Sequence, residues 1–144
     1  MPIFWRPQFR IGHDDIDADH RYLILLINTV ELVLRFPDDP RNVELALAEL
    51  RRYAQYHFER EERIQIAYGY LHLDQHKREH RALLAEIDVL AQRIRATLDD
   101  PDGGVEGVKE QSGEITAFLR KWLVDHVMKA DMQLVPLFRK PVVR

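Results

Sequence analysis

The sequence predicts an all-α chain folded as an antiparallel, up-down-up-down four-helix bundle, and three observations carry that expectation. Four segments place apolar residues alternately three and four positions apart, which is the period of a helix with one buried face. Short breaks rich in proline, glycine and aspartate separate them, at 37–40, 69–72 and 99–104. Connections that short set consecutive helices side by side and antiparallel. No stretch alternates apolar and polar residues in the manner of a strand, and the sequence has no tandem repeat or low-complexity segment.

The segments follow in order. The first has a seam of Ile16, Leu23, Ile27, Val30 and Leu34, with His20 in the position the seam leaves open. The second runs Val43, Leu47, Leu50 and Ala54, then His57 and Glu61, then Ile64 and Tyr68. In the third, Leu73, Leu83, Ile87, Leu90 and Ile94 flank His76 and His80, which share their register. The fourth has Ile115, Leu119 and Trp122, followed by His126 and then Asp131. The expected organisation is one domain over 1–144: an arm at about 1–15, the bundle at about 16–132 and a short tail whose Arg139, Lys140 and Arg144 are solvated.

Composition narrows the classes of function. At 144 residues and 17.1 kDa, with a formal charge of −3 and a pI near 6.2, the chain lacks the basic stripe of a nucleic-acid binder. Cysteine is absent, so disulfides, iron–sulfur clusters and thiolate zinc sites are excluded, and any metal must use nitrogen and oxygen donors. There is no signal-peptide pattern and no apolar run of membrane-spanning length. The expectation is a soluble, cytoplasmic protein without a membrane span or a nucleic-acid partner.

The unusual feature is the set of polar residues in core positions. An unpaired carboxylate in an apolar core costs several kcal/mol, and an unsatisfied imidazole also counts against folding. Two such groups can pair with each other. Seven of them, His20, His57, Glu61, His76, His80, His126 and Asp131, spread over four helices, point to metal ions that accept their lone pairs. Residues four apart share a helix face, so His57 with Glu61, and His76 with His80, can each converge on one site. Two divalent ions bring four positive charges; two carboxylates and a bridging hydroxide would leave the site nearly neutral. Asp131 breaks the simple register, because five residues after His126 is about 140° around an ideal helix. A local π-bulge would bring positions five apart onto one face. These donors suit zinc, iron, nickel and copper alike.

Together, Ile16-Asp17-Ala18-Asp19-His20, the run His57-Phe58-Glu59-Arg60-Glu61-Glu62, His76-x-x-x-His80 and Trp122-Leu123-x-x-His126-Val127-x-x-x-Asp131 resemble the hemerythrins, specifically the bacterial single-domain kind, from about Trp5 to Leu134. The resemblance implies a non-haem di-iron centre with a bridging oxo or hydroxo group that binds dioxygen reversibly, in a carrier, storage or delivery protein rather than an enzyme. It implies that Glu61 and Asp131 bridge the irons, that His76, His80 and His126 complete one, and that His20 and His57 hold the other, which keeps an open position for oxygen. Leu23, Phe58, Trp122, Leu123 and Val127 would line the oxygen pocket, where apolar walls exclude water. The sequence departs from the usual pattern at Asp19, where glutamine is common, at Gln65, where methionine is common, and at Val127, where isoleucine is common; none is a ligand position.

Other readings use the same residues. His76-Lys77-Arg78-Glu79-His80 satisfies the His-x-x-Glu-His signature of inverted zinc proteases, with Glu79 as base, but leaves His20, His57, His126 and Asp131 without a role. An oxidase or peroxidase would use the same di-iron centre, yet ferritin-like oxidases surround their irons mainly with glutamates. An oxygen or redox sensor would need a separate partner surface. Outside the set, His13 and His72 read as ordinary exposed or loop residues, Tyr53, Tyr56 and Tyr68 as core or rim packing, and the charges at 59–63 as a solvated face with Glu61 the exception and Glu62 at the surface or beside the site.

Overall fold

The computed structural model describes residues 2–139. Four long helices, α1 (Asp14–Arg35), α2 (Pro40–Ala67), α3 (Leu73–Asp99) and α4 (Gly104–Lys129), form the bundle. A 3-10 turn at Pro7–Phe9 precedes it, and a second at Asp131–Leu134 leads into a single turn, α5 (Val135–Phe138). Consecutive helices pack together and α1 also packs on α4, which closes the antiparallel bundle that the short breaks predict. Lys140 and Arg144 of the expected solvated tail lie outside the described residues.

Each break has a local cause. His13 caps α1, its Nδ1 accepting from the Asp15 N–H, and Asp14, Asp15 and Asp17 place negative charge at the positive end of the helix. Asp39 caps α2 by accepting from the Arg41 N–H at 2.9 Å, and Pro40 sits at the first helical position, where no N–H is needed. At the far end of α2, Gly69 N–H donates to the Ile66 carbonyl and Tyr70 N–H to that of Gln65, the paired bonds of a Schellman stop. That stop requires a left-handed residue, and Gly69 has φ +68°.

The core has two unlike halves. Near the 37–40 and 99–104 connections it is aliphatic: Ile27, Val30 and Leu34 meet Val43, Leu47 and Leu50, with Ile87, Leu90, Ile94, Val108 and Ile115 completing the layer. Toward the other end the same seams carry His20, His57, Glu61, His76, His80 and Asp131, all buried. Because neighbouring helices run in opposite directions, residues early in α1 and α3 lie level with residues late in α2 and α4. The seam of α2 departs from expectation beyond Glu61: Gln65 is fully buried, whereas Ile64 is half-buried and Tyr68 is exposed. The buried face follows the four-residue step from Glu61, which puts an amide where an aliphatic side chain was expected.

Gly69 tests the stop. A methyl at this position meets nothing within 4 Å, so Gly69→Ala costs only the left-handed backbone, about 1 kcal/mol. The expected outcome is a melting temperature lower by about 3 °C in circular dichroism, with the helical signal unchanged.

Candidate metal centre

The two carboxylates sit between two groups of imidazoles. Glu61 Oε1 lies 2.7 Å from His76 Nε2 and 3.4 Å from His80 Nε2, while its Oε2 lies 3.1 Å from His57 Nε2 and 3.7 Å from His20 Nε2. Asp131 divides its oxygens in the same way: Oδ1 is 3.0 Å from both His76 and His126, and Oδ2 is 3.0 Å from His20. All seven side chains predicted from sequence therefore converge. They form two overlapping donor sets with ligand atoms within 4.8 Å of one another: Glu61, His76, His80, His126 and Asp131, and His20, His57, Glu61 and Asp131.

Asp131 arrives by a route other than the expected π-bulge. The α-helix ends at Lys129, the Ala130 N–H closes its last turn on the His126 carbonyl, and Asp131 opens the 3-10 turn. The chain thus leaves the α-helix before Asp131, so the register of a continuing helix does not apply to it, and its Oδ1 reaches His126 Nε2 at 3.0 Å.

Outer partners fix the rings. His57 Nδ1 donates to Asp19 Oδ2 at 2.9 Å, and Asp19 also accepts from the Tyr53 hydroxyl at 2.7 Å. His80 Nδ1 donates to Glu62 Oε2 at 2.9 Å. A carboxylate on the outer nitrogen directs the other nitrogen's lone pair inward and raises its basicity. Gln65 donates from Nε2 to Glu61 Oε1 at 3.2 Å, so it steadies the shared carboxylate. Sequence reasoning singled out Asp19 only as a departure and took Tyr53 for packing, whereas for Gln65, four residues beyond Glu61, it left open a hydrogen bond near the site or a place in solvent, and the structure shows the bond. The cue for Asp19 was available: an acid beside His20 and three residues after Ile16 of the buried seam.

Electrostatics of the protein alone show how strongly the groups interact. Burial opposes charge on His20, but hydrogen bonds to Asp131 and Glu61 outweigh it and raise its pKa to about 10. His76 behaves likewise, also reaching about 10. Burial would push Glu61 up, yet hydrogen bonds from His20, His57, His76 and His80 bring it well below the usual carboxylate range. Asp131 is lowered against burial and against repulsion from Glu61 by His126 and His20. A pKa near 10 favours protonated His20 and His76 at neutral pH without metal, and metal binding must displace those protons.

The residues fit metal. Nε2 of His20, His57, His76, His80 and His126, Glu61 Oε2 and both Asp131 oxygens are buried without a well-aligned hydrogen-bond partner. Eight inward-facing polar atoms in one spot are a large exception to the rule that buried polar groups are satisfied, and two cations would satisfy them. Nitrogen and oxygen donors at this ratio suit first-row divalent metals.

The remaining predicted residues divide. Leu23, Phe58, Trp122, Leu123 and Val127 are all buried, but only Leu123 and Val127 join His20 in lining a narrow apolar cleft, together with Trp5, Phe9, Ile24 and Val124. Phe58 instead stacks on His80, with centroids 4.0 Å apart, and Trp122 donates from Nε1 to the Leu83 carbonyl at 3.0 Å. A larger groove of about 600 Å³ opens between α3 and α4 beside His126, rimmed by Glu79, Glu86, Lys121 and Asp125. Glu79 stands on that rim and outside both donor sets, so the geometry gives no support to a protease base. His13 and His72 also lie outside the sets.

A family model described as the hemerythrin HHE cation-binding domain matches residues 11–138. The chain belongs to the hemerythrin family. It is 26% identical over 134 residues to a bacteriohemerythrin of Clostridium acetobutylicum, covering 91% of this chain and 97% of that one. A myohemerythrin of Riftia pachyptila is 27% identical over 132 residues, with 92% and 90% covered. The crystal structure of a hemerythrin point mutant shares the fold, with a TM-score of 0.78 at 24% identity over 96% of this chain and all of that one. Helical bundle and buried histidine–carboxylate cluster thus coincide in one family of metal-binding domains.

Asp19 offers a test of ring orientation. Asp19→Asn keeps the shape but removes the anion behind His57, and is expected to weaken cobalt(II) or zinc binding by roughly tenfold, as such outer partners do. Chelator competition measures it; unchanged affinity would show that His57 is oriented by packing alone.

Proposed function

We propose that this chain binds dioxygen reversibly at a non-haem di-iron centre, as a carrier, storage or delivery protein. In this reading His76, His80 and His126 hold one iron, His20 and His57 hold the other, and Glu61 and Asp131 bridge them. Membership of the hemerythrin family supports di-iron oxygen binding at the level of the family. The observation that carries the reading is the inequality of the donor sets, five residues against four. The poorer set contains His20, and His20 borders the apolar cleft. An open coordination position beside a dry entrance suits a small neutral ligand.

A pair of irons there would supply the two electrons that reversible oxygen binding draws on. The chain supplies the rest. Asp19 and Glu62 hold His57 and His80 in place, so the rings cannot turn away when the charge of the centre changes. Leu123 and Val127, 5% and 3% exposed, keep water from the His20 side, where solvent would carry off a bound oxidant. Histidine outnumbers carboxylate five to two among the donors, leaving fewer anionic groups than an oxidase needs to support highly oxidised iron.

The visible spectrum of the iron-loaded, reduced protein is the direct test. A band that appears with oxygen and vanishes when oxygen is removed is expected; one-way conversion to the oxidised state would overturn reversible binding and favour a redox sensor or oxidase. Leu123→Ala is expected to retain both irons and shorten the lifetime of the oxygenated form several-fold. An unaltered lifetime, with helical content intact, would take Leu123 out of the water barrier.

A further inference from the structure

We infer that Trp5 and Phe9, held down by Asn28 and Arg21, form the outer wall of an apolar vestibule beside His20 that selects small apolar molecules over water and anions. The inference rests on the oxygen-binding reading and adds residues that determine what reaches the site.

The cleft is the starting point. Its volume is about 10 Å³, and every exposed wall atom is apolar. That is about the room one water needs, but a water also needs two to four polar partners to stay. An anion entering would shed its hydration with nothing in return, which is costlier still. A diatomic gas has no hydrogen bonds to lose. The far wall, Leu123, Val124 and Val127, belongs to α4, and Ile24 belongs to α1. The near wall is the arm, through Trp5 and Phe9, and without it the cleft would lie open toward solvent.

The arm is fastened at separate points. The Ile3 N–H donates to Asn28 Oδ1 at 2.8 Å, and Asn28 Nδ2 donates to the Ile3 carbonyl at 2.8 Å, so one amide grips both backbone groups of one residue. The Arg21 guanidinium lies 4.6 Å from the Trp5 ring centroid, a cation–π contact, and Trp5 meets Phe9 edge to face at 5.9 Å. At the bundle end, Asp17 accepts from Ile11 N–H at 2.7 Å and Gly12 N–H at 3.1 Å. Between these anchors the arm spans His20, Ile24 and Val127 as a strap. Asn28 and Arg21 are on the surface side of α1, half-buried and exposed; the bundle core does not need them, which leaves them free to act on the arm.

Asn28→Leu removes both hydrogen bonds at nearly constant shape. Losing two bonds of ordinary net strength makes arm opening about thirtyfold more frequent, so amide hydrogen exchange at residues 3–9 is expected to rise by that factor. Azide association with the oxidised, iron-loaded protein should rise about as much, and oxygen association with the reduced protein less than twofold. Trp5→Ala, which removes wall and leaves the Ile3 clamp, should reproduce the azide effect. Faster amide exchange with an unchanged azide rate, or equal acceleration of azide and oxygen, overturns the selective wall; unchanged amide exchange in Asn28→Leu overturns the clamp. If the unaltered protein binds no oxygen, the functional reading fails by itself. The wall is then judged in metal-free protein, where Asn28→Leu must raise acrylamide quenching of Trp5 against the buried reference Trp122, and unaltered quenching overturns it.

Discussion

Two carboxylates with no access to solvent govern this molecule. Glu61 and Asp131 are both 0% exposed, and each faces imidazoles from more than one helix. A buried anion is tolerated only when charge and hydrogen bonds answer it on every side. Here the answer comes from five rings on four helices, so the requirement of two side chains fixes the relative height of all four. The same requirement accounts for the shared proton affinity of the cluster. Burial works against charge on His20 and His76, but these acids hold both near 10, and each ring answers to both anions, so removing one would weaken that hold without abolishing it. A cluster of this kind is a weak source of stability but a strong source of specificity of arrangement, because only one register of the bundle satisfies it.

Stability must therefore come from elsewhere, and the division of the core into an aliphatic half and a polar half provides it. Residues such as Leu34, Leu50, Ile87, Ile94 and Leu119 are essentially inaccessible, and each contributes in proportion to the apolar area it removes from water. Glu31 adds a tie across the bundle, accepting from Arg120 at 3.1 and 3.2 Å. The aliphatic half can thus hold the helices together while the polar half carries groups that repel, desolvate and protonate. This separation lets the chemistry change without disturbing the scaffold.

The helices and the seven convergent residues were legible because both are written in a local period. His57 and Glu61, or His76 and His80, declare their common face by spacing alone, and their presence in an apolar seam declares that the face is buried. What was not legible depends on distance along the chain. Asp19 and His57 are 38 positions apart, and nothing in either segment states that they meet. Glu62 was ambiguous for the same reason: only the placement of α3 brings His80 to it. Asp131 illustrates a subtler limit. Its five-residue offset signalled a departure from the helix, but a 3-10 turn and a π-bulge both break that register, and the choice depends on how the chain continues through Asp131–Leu134. An arm at about 1–15 was expected, but its path was opaque, since this segment has no periodicity and is positioned through bonds such as that of Ile3 to Asn28, 25 residues away.

The asymmetry of the centre follows from the same geometry. α3 supplies two imidazoles one turn apart and α4 supplies a third beside them, so the set around His76 and His80 has three rings. On the other side α1 and α2 supply one imidazole each, His20 and His57. The two sides also differ in surroundings: charged residues rim the groove at His126, whereas only apolar atoms are exposed in the cleft at His20. The richer donor set therefore lies beside a polar groove and the poorer one beside an apolar cleft. Because shortage and dryness fall on the same side, a small ligand bound there would need no hydrogen bond to a wall residue. On the proposed reading, coordination number would decide where a ligand binds, and the lack of polar partners in the cleft would decide which ligand arrives.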